Sequence, residues 1–182
     1  MFKKIRGFTL IELLIVVAII GILAALLIPN ALSAIQKAKQ KGTMKDMNSI
    51  STALMDFVTD NGTAPVGQSG EIDALLTSAL VGTTGFYLKV LPVNDQWGSP
   101  FQVYCGDAVS SAGVSGIDDP QDDDFLVLSY GRNRDSDPFT YDPTDPATVY
   151  FPITNMSSFN EDLCTWNGNW IHAPKTAQLG AT

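Results

Sequence analysis

Carboxylates are the side chains of this sequence with the widest chemical scope, and they fall in three places. Glu12 stands alone in an otherwise uncharged run between Gly7 and Pro29. Asp118, Asp119, Asp122, Asp123 and Asp124 form one cluster, and Asp135, Asp137, Asp142 and Asp145 form a second. Hard oxygen donors at this density suit calcium, which takes carboxylate, carbonyl and water oxygens. Neither cluster has the Gly and terminal Glu offsets of an EF-hand loop. A calcium loop and a solvated acidic loop both fit the second cluster, and Asp118 to Asp124 reads as a solvated run. Nucleophilic chemistry finds no support: His172 is the single histidine, no Ser or Cys has a base near it in sequence, and His pairs, CxxC spacing and glycine-rich phosphate loops are absent. Carboxylates alone can cleave glycosides, but a chain this short with one very long helix leaves little room for a cleft. The expectation is therefore a protein that is not an enzyme.

Glu12 raises a different question. From Phe8 to Ile28 it is the only charged residue, and as a helix at about 1.5 Å per residue that run matches the hydrocarbon thickness of a bilayer. A carboxylate inside such a helix is costly and calls for a partner. Ahead of it lies a basic leader, Lys3, Lys4 and Arg6, ending at Gly7. The leader charge marks the cytoplasmic side, so the remainder lies outside. In a secretory signal the small cleavage residue follows the apolar run, whereas here it precedes it. Cutting after Gly7 would keep the apolar helix and create a free amine on Phe8, one turn from Glu12 on the same helix. Side-by-side helices with a small axial offset would bring Glu12 of one subunit to the amine of a neighbour.

Gly7-Phe8-Thr9-Leu10-Ile11-Glu12 resembles the class III signal of type IV pilins and type II secretion pseudopilins. The resemblance implies an α+β, pilin-like fold, a long N-terminal helix packed on a small antiparallel sheet. It also implies cleavage after Gly7 by prepilin peptidase, N-methylation of Phe8, and Glu12 and Pro29 as assembly residues. Leu91-Pro92-Val93-Asn94-Asp95-Gln96-Trp97-Gly98-Ser99-Pro100-Phe101 is similar to the turn that leads into the sheet of major pseudopilins, with Gln96 in place of a Pro, Ser99 of an Asn and Phe101 of a Tyr. Asp124 to Gly131 resembles the next strand of that family, and Gly168-Asn169-Trp170 its C-terminal end. The family's calcium site, carried over, would use Asp135 and Asp137, carbonyls of Ser129 or Arg132, and a later acid, Asp162; Arg132 and Arg134 depart from the usual small residues.

The implied function is that of a structural subunit of a helical filament, the major pseudopilin of a type II secretion system, assembled through its N-terminal helices to drive export of folded proteins across the outer membrane. The alternative is a type IV pilin of a surface pilus serving adhesion, twitching motility or DNA uptake. Implied partners are further copies of the chain, prepilin peptidase, an assembly platform, minor pseudopilins, and membrane lipid before assembly, with no nucleic acid bound directly. The implied location is the inner membrane, single-pass, with the globular part in the periplasm and later in a filament.

These residues must be held by a chain of 182 residues with 11 basic and 19 acidic side chains. Its net charge of −8 becomes −11 once Lys3, Lys4 and Arg6 are lost, which argues against a nucleic-acid surface. The organisation expected is a leader over residues 1–7, a helix over 8–60 that spans the membrane at 8–28, and a globular domain with a C-terminal tail over 61–182. Along the helix, Ala31, Ala34, Ile35 and Ala38, then Met47, Ile50, Leu54 and Phe57, recur at spacings of three and four and predict one buried stripe, closed by Asn61-Gly62. Pro29 and Gly42 are weak points at which a kink or unwound turn is expected. Beyond, the pattern predicts a helix over 71–80, strands over 101–104, 125–128 and near 149–151, turns over 129–146, and a frayed end from Ala173. Lys37, Lys39, Lys41 and Lys45 read as a solvated helix face or as partners for acids of neighbouring subunits. Cys105 and Cys164, 59 positions apart in the exported part, are either a disulfide, worth about 4 kcal/mol by unfolded-chain entropy, or two buried thiols.

Overall fold

The computed structural model describes residues 8–82, 86–145 and 148–175. The leader with Gly7, and the end of the tail from residue 176, lie outside the described residues. The chain divides into two units after Lys37. The first unit is the initial part of helix α1 (Leu10–Asn61), and the large apolar side chains from Phe8 to Leu32 are exposed. It is long and apolar enough to cross a membrane. In the single chain the helix is unbroken across Pro29 and Gly42. Pro29 removes a single donor, a loss that the surrounding Leu- and Ala-rich turns absorb. Ala31, Ala34, Ile35 and Ala38 are exposed, and the buried stripe begins only at Gln40.

The second unit, the head, starts at Ala38 rather than at the end of the helix. Here α1 buries Gln40, Thr43, Met47, Ile50, Ser51, Ala53 and Leu54 on one face, and Phe57 is half-buried in edge-to-face contact with Tyr87. Gly42 is a docking point: a Cβ there would meet Gln96 Cγ at 2.8 Å. The helix stops where Gly62 takes φ +78° and donates to the Val58 carbonyl at 2.7 Å.

Six strands form the sheet: β1 (Ser69–Glu71), β2 (Gln102–Cys105), β3 (Phe125–Ser129), β4 (Tyr150–Phe151), β5 (Leu163–Trp166) and β6 (Asn169–Pro174). Their order is β1-β2-β3-β5-β6-β4, antiparallel except for β4 beside β6. The helix expected from residue 71 starts later, as α2 (Ala74–Val81), because Asp73 caps it by accepting the Leu76 N–H at 2.7 Å and Glu71 pairs in β1 instead. The end expected to fray from Ala173 starts inside β6, which holds Ala173 and Pro174 in the sheet. The β5–β6 hairpin turns on Asn167 and Gly168, both at positive φ, the backbone that an Asn-Gly turn requires.

Alternation along the strands makes two cores. Val103, Cys105, Phe125, Val127 and Leu163 face α1 and α2, against Met47, Ile50, Leu54, Leu76 and Leu80. Leu126, Leu128, Cys164 and Ile171 face the other way, beneath Val109, Val114 and Ile117. One buried polar bond joins helix to sheet, Ser51 Oγ to Thr165 Oγ1 at 3.0 Å.

Candidate assembly helix and acidic loop

Glu12 has a partner in its own chain. Thr9 precedes the first helical residue and donates from its N–H (2.8 Å) and its hydroxyl (2.7 Å) to Glu12 Oε2, while the Glu12 N–H donates back to Thr9 Oγ1 at 3.3 Å. This is a capping box: the acid meets a helix-end donor that would otherwise lack an acceptor. Thr-x-x-Glu ahead of an apolar run is its sequence signature, which marks Thr9 as well as Glu12. Both bonds fall on Oε2. Among the described residues both bonds to the carboxylate come from Thr9, and the large side chains on either side of Glu12, Ile11 and Leu13, are exposed and apolar.

The acidic loop begins at the end of β3. Ser129 is buried, and its hydroxyl donates to Asp95 Oδ2 at 2.8 Å; the other oxygen of Asp95 accepts the N–H groups of Trp97 and Ser99, each at 2.9 Å. Asp95 thus pins the Trp97-Gly98 turn to the sheet. Gln96 ties the same turn to α1, its N–H donating to Thr43 Oγ1 at 3.2 Å and its side-chain amide to Asp46 at 2.8 Å. Gly131, at φ +64°, lets the chain pass the carbonyls of Phe159, Asn160 and Glu161, which a Cβ would approach to between 2.7 and 3.0 Å.

Asp162 is the one loop-facing acid out of water, 2% exposed. Its Oδ2 accepts the Asp137 N–H at 3.0 Å, and its Oδ1 is buried without a partner. Burial foremost, aided by the charges of Asp137, Glu161 and Asp135, pushes its carboxyl up to about 7. Asp135 and Asp137 are exposed, Asp137 held by the Asn133 side chain at 3.0 Å. Arg132 and Arg134 do not neutralise them: Arg132 donates to the Met156 carbonyl at 2.9 Å and Arg134 to the Trp97 carbonyl. Asp135, Asp137 and Asp162 are therefore neighbours, Arg132 offers only its backbone, and the Ser129 hydroxyl is committed to Asp95. Among the described residues, no three His, Cys, Asp or Glu side chains are already gathered around a point that could hold a metal. His172, placed in the tail by its position, is buried in β6, stacked on Phe139 at 4.3 Å and bonded through Nδ1 to the Asp162 carbonyl at 2.7 Å; burial lowers its pKa.

The other acidic run is mostly exposed, but Asp124 is buried, accepting from the Gln121 N–H at 2.8 Å and from the Asn167 side chain. The disulfide does not form. Cys105 pairs with Phe125 and Cys164 with Leu128, three positions apart on β3, so the two thiols point to opposite faces of the sheet. Strand spacing and rise put their Cα atoms about 14 Å apart, against a limit of about 7 Å for a bridge. Burial raises Cys105 to about 12 and Cys164 well above the ordinary thiol range, which makes both unreactive.

Comparison with known proteins adds two family matches. Residues 2–28 match the prokaryotic N-terminal methylation motif, and residues 30–137 match the type II secretion system protein G family. A type II secretion system core protein G of Aeromonas hydrophila is 36% identical over 107 residues, 56% of this chain and 73% of that protein. The protein of the same name from Klebsiella pneumoniae is 31% identical over 132 residues, 66% of this chain and 93% of its own length. That of Dickeya chrysanthemi is 29% identical over 177 residues, 93% and 92% of the two chains. No solved structure matches the chain.

Proposed function

The chain belongs to the protein G family of type II secretion systems, and from that premise we propose that it is the major pseudopilin of such a system. It stands in the inner membrane through the first part of α1, loses its leader after Gly7 to prepilin peptidase, and polymerises into a filament whose core is made of these helices. The observation that carries this reading is the exposed apolar half of α1, headed by the Thr9–Glu12 box. In lipid that surface is satisfied, and in a bundle of like helices it is satisfied again, so transfer from membrane to filament costs little hydrophobic stabilisation. Cleavage would free the Phe8 amine, a donor for the carboxylate of a neighbour's Glu12. A charged hydrogen bond in so apolar a setting sets the axial register of each arriving subunit. Intact mass of purified filaments should begin at Phe8, and Glu12→Ala should leave a processed, membrane-bound chain that does not assemble. Filaments that retain residues 1–7, or that form normally from the Glu12→Ala chain, would overturn the reading.

The acidic loop has the donor chemistry for calcium. The orphaned, buried Asp162 Oδ1 lacks a positive partner, and the exposed Asp135 and Asp137 can turn toward it. In this reading the three carboxylates hold the ion, which supplies the charge that Arg132 and Arg134 direct elsewhere and ties the 129–145 loop to the start of β5. Calorimetric titration with calcium should give one site, lost in Asp137→Ala. Equal heats from the variant and the unaltered chain would remove the ion from the account.

A further inference from the structure

The turn after α1 and the end of β2 enclose a hollow of about 360 Å³, apart from the assembly helix and the acidic loop. That volume falls at the lower end of the range for ligand sites. Ala64, Pro65, Cys105 and Ala108 give it apolar walls, and Val66 in its lining is 88% exposed. Backbone bonds fix those walls: the Ala64 N–H donates to the Asp122 carbonyl at 2.8 Å, the Cys105 N–H to the Gln68 carbonyl at 3.1 Å, and the Gly106 N–H to the Asp124 carbonyl at 2.8 Å. Three separate segments are thereby tied together, and the hollow exists before anything enters it.

A second hollow of about 460 Å³ shares Thr63, Asp107 and Asp122 with the first and adds Asp119 and Asp123. All four acids are exposed. Asp107, Asp119 and Asp122 accept through their backbone carbonyls, from Ser110 Oγ, the Gln121 side-chain amide and the Ala64 N–H, which leaves the carboxylates uncommitted among the described residues. No lysine or arginine lines either hollow, and Arg132 and Arg134 donate elsewhere. An apolar cup joined to an uncompensated acidic rim selects its occupant by shape and charge together. Nucleic acid and anionic lipid are repelled. A metal ion would leave the cup unused, and a small amine would answer one acid of the four. We propose that the two hollows form one docking site for an extended segment of a partner protein in which a large apolar side chain is flanked by lysine or arginine. The apolar side chain fills the cup beside Ala64 and Ala108, and the cations meet Asp107, Asp119, Asp122 and Asp123. The site is separate in sequence from the Thr9–Glu12 box and from the 129–145 loop, so it stands whether or not the chain polymerises.

The full-length chain in detergent, titrated at low salt against the labelled peptide Gly-Lys-Leu-Lys-Lys-Gly, should give saturable fluorescence anisotropy, with amide NMR shifts at Ala64, Val66 and Ala108. Exchanging the peptide's leucine for serine should weaken binding about tenfold or more, because the cup is left unfilled. Exchanging its lysines for glutamates should abolish binding. Asp107→Asn with Asp122→Asn should weaken the leucine peptide about fivefold. That variant should melt like the unaltered chain, since both side chains are exposed. Equal binding of the leucine and serine peptides would reduce the contact to general attraction by an acidic chain and overturn the proposal. Shifts confined to other residues, undiminished affinity in the paired asparagine variant, or no saturable binding of the leucine peptide would each overturn it as well.

Discussion

Replacing Asp162 by Asn should stabilise the chain in the absence of calcium and abolish the stabilisation that calcium gives. The carboxyl is 2% exposed, with one oxygen unpartnered and its titration raised from 3.8 to about 7, chiefly by burial. An acid raised in the native state stays protonated there while the unfolded chain ionises, so its contribution to stability is full below about pH 4 and is lost as pH climbs toward 7. Three pH units at about 1.36 kcal/mol each make the ionised native form about 4 kcal/mol less stable at pH 8. Asn removes that charge and keeps the acceptor for the Asp137 N–H, but its buried amide lacks an acceptor, at about 1 to 3 kcal/mol. The net gain in chelator at pH 8 is about 1 to 3 kcal/mol, roughly 3 to 10 °C in melting temperature. Calcium at a hundredfold excess over its dissociation constant stabilises only the unaltered chain, by about 2.7 kcal/mol. The assay is thermal melting of the full chain in detergent at pH 4 and pH 8, with chelator and with calcium. In chelator Asp162→Asn should melt higher at pH 8, and the advantage should vanish at pH 4. A variant that melts no higher than the unaltered chain in chelator at pH 8 would refute the account of a strained buried acid.

Leu54→Ala, at a fully buried position between α1 and the sheet, should lower stability by about 3 kcal/mol in denaturant melts, since the surrounding core cannot close the space. Gly131→Ala should cost at least as much, because its Cβ would lie 2.7 Å from the Glu161 carbonyl at a positive φ; the same melts check it. Thiol titration without reductant should count two free sulfhydryls in denaturant and almost none in the native chain, and a count of zero in denaturant would restore the disulfide.

What could be read from residue order was whatever neighbouring residues decide among themselves. The apolar run with its single acid, the Met47-Ile50-Leu54 stripe and the Gly62 stop all follow from spacing within a few turns, and each appears in the fold as expected. Two more features rest on near neighbours, the Thr9-x-x-Glu12 box and the Asn167-Gly168 turn that makes a hairpin of the apparent tail. The rest was decided by pairing between distant strands. Side chains alternate between sheet faces, so the fate of Cys105 and Cys164 depended on which residues of β3 each met across the ladder, a register that no spacing of 59 positions contains. The burial of Asp162 likewise follows from β5 running beside β3, which takes this acid out of water while leaving Asp135 and Asp137 in it. Composition revealed how many acids the loop holds. Only the tertiary fold chose the one whose charge lacks an answer, because desolvation depends on what packs around a group and not on its neighbours in sequence.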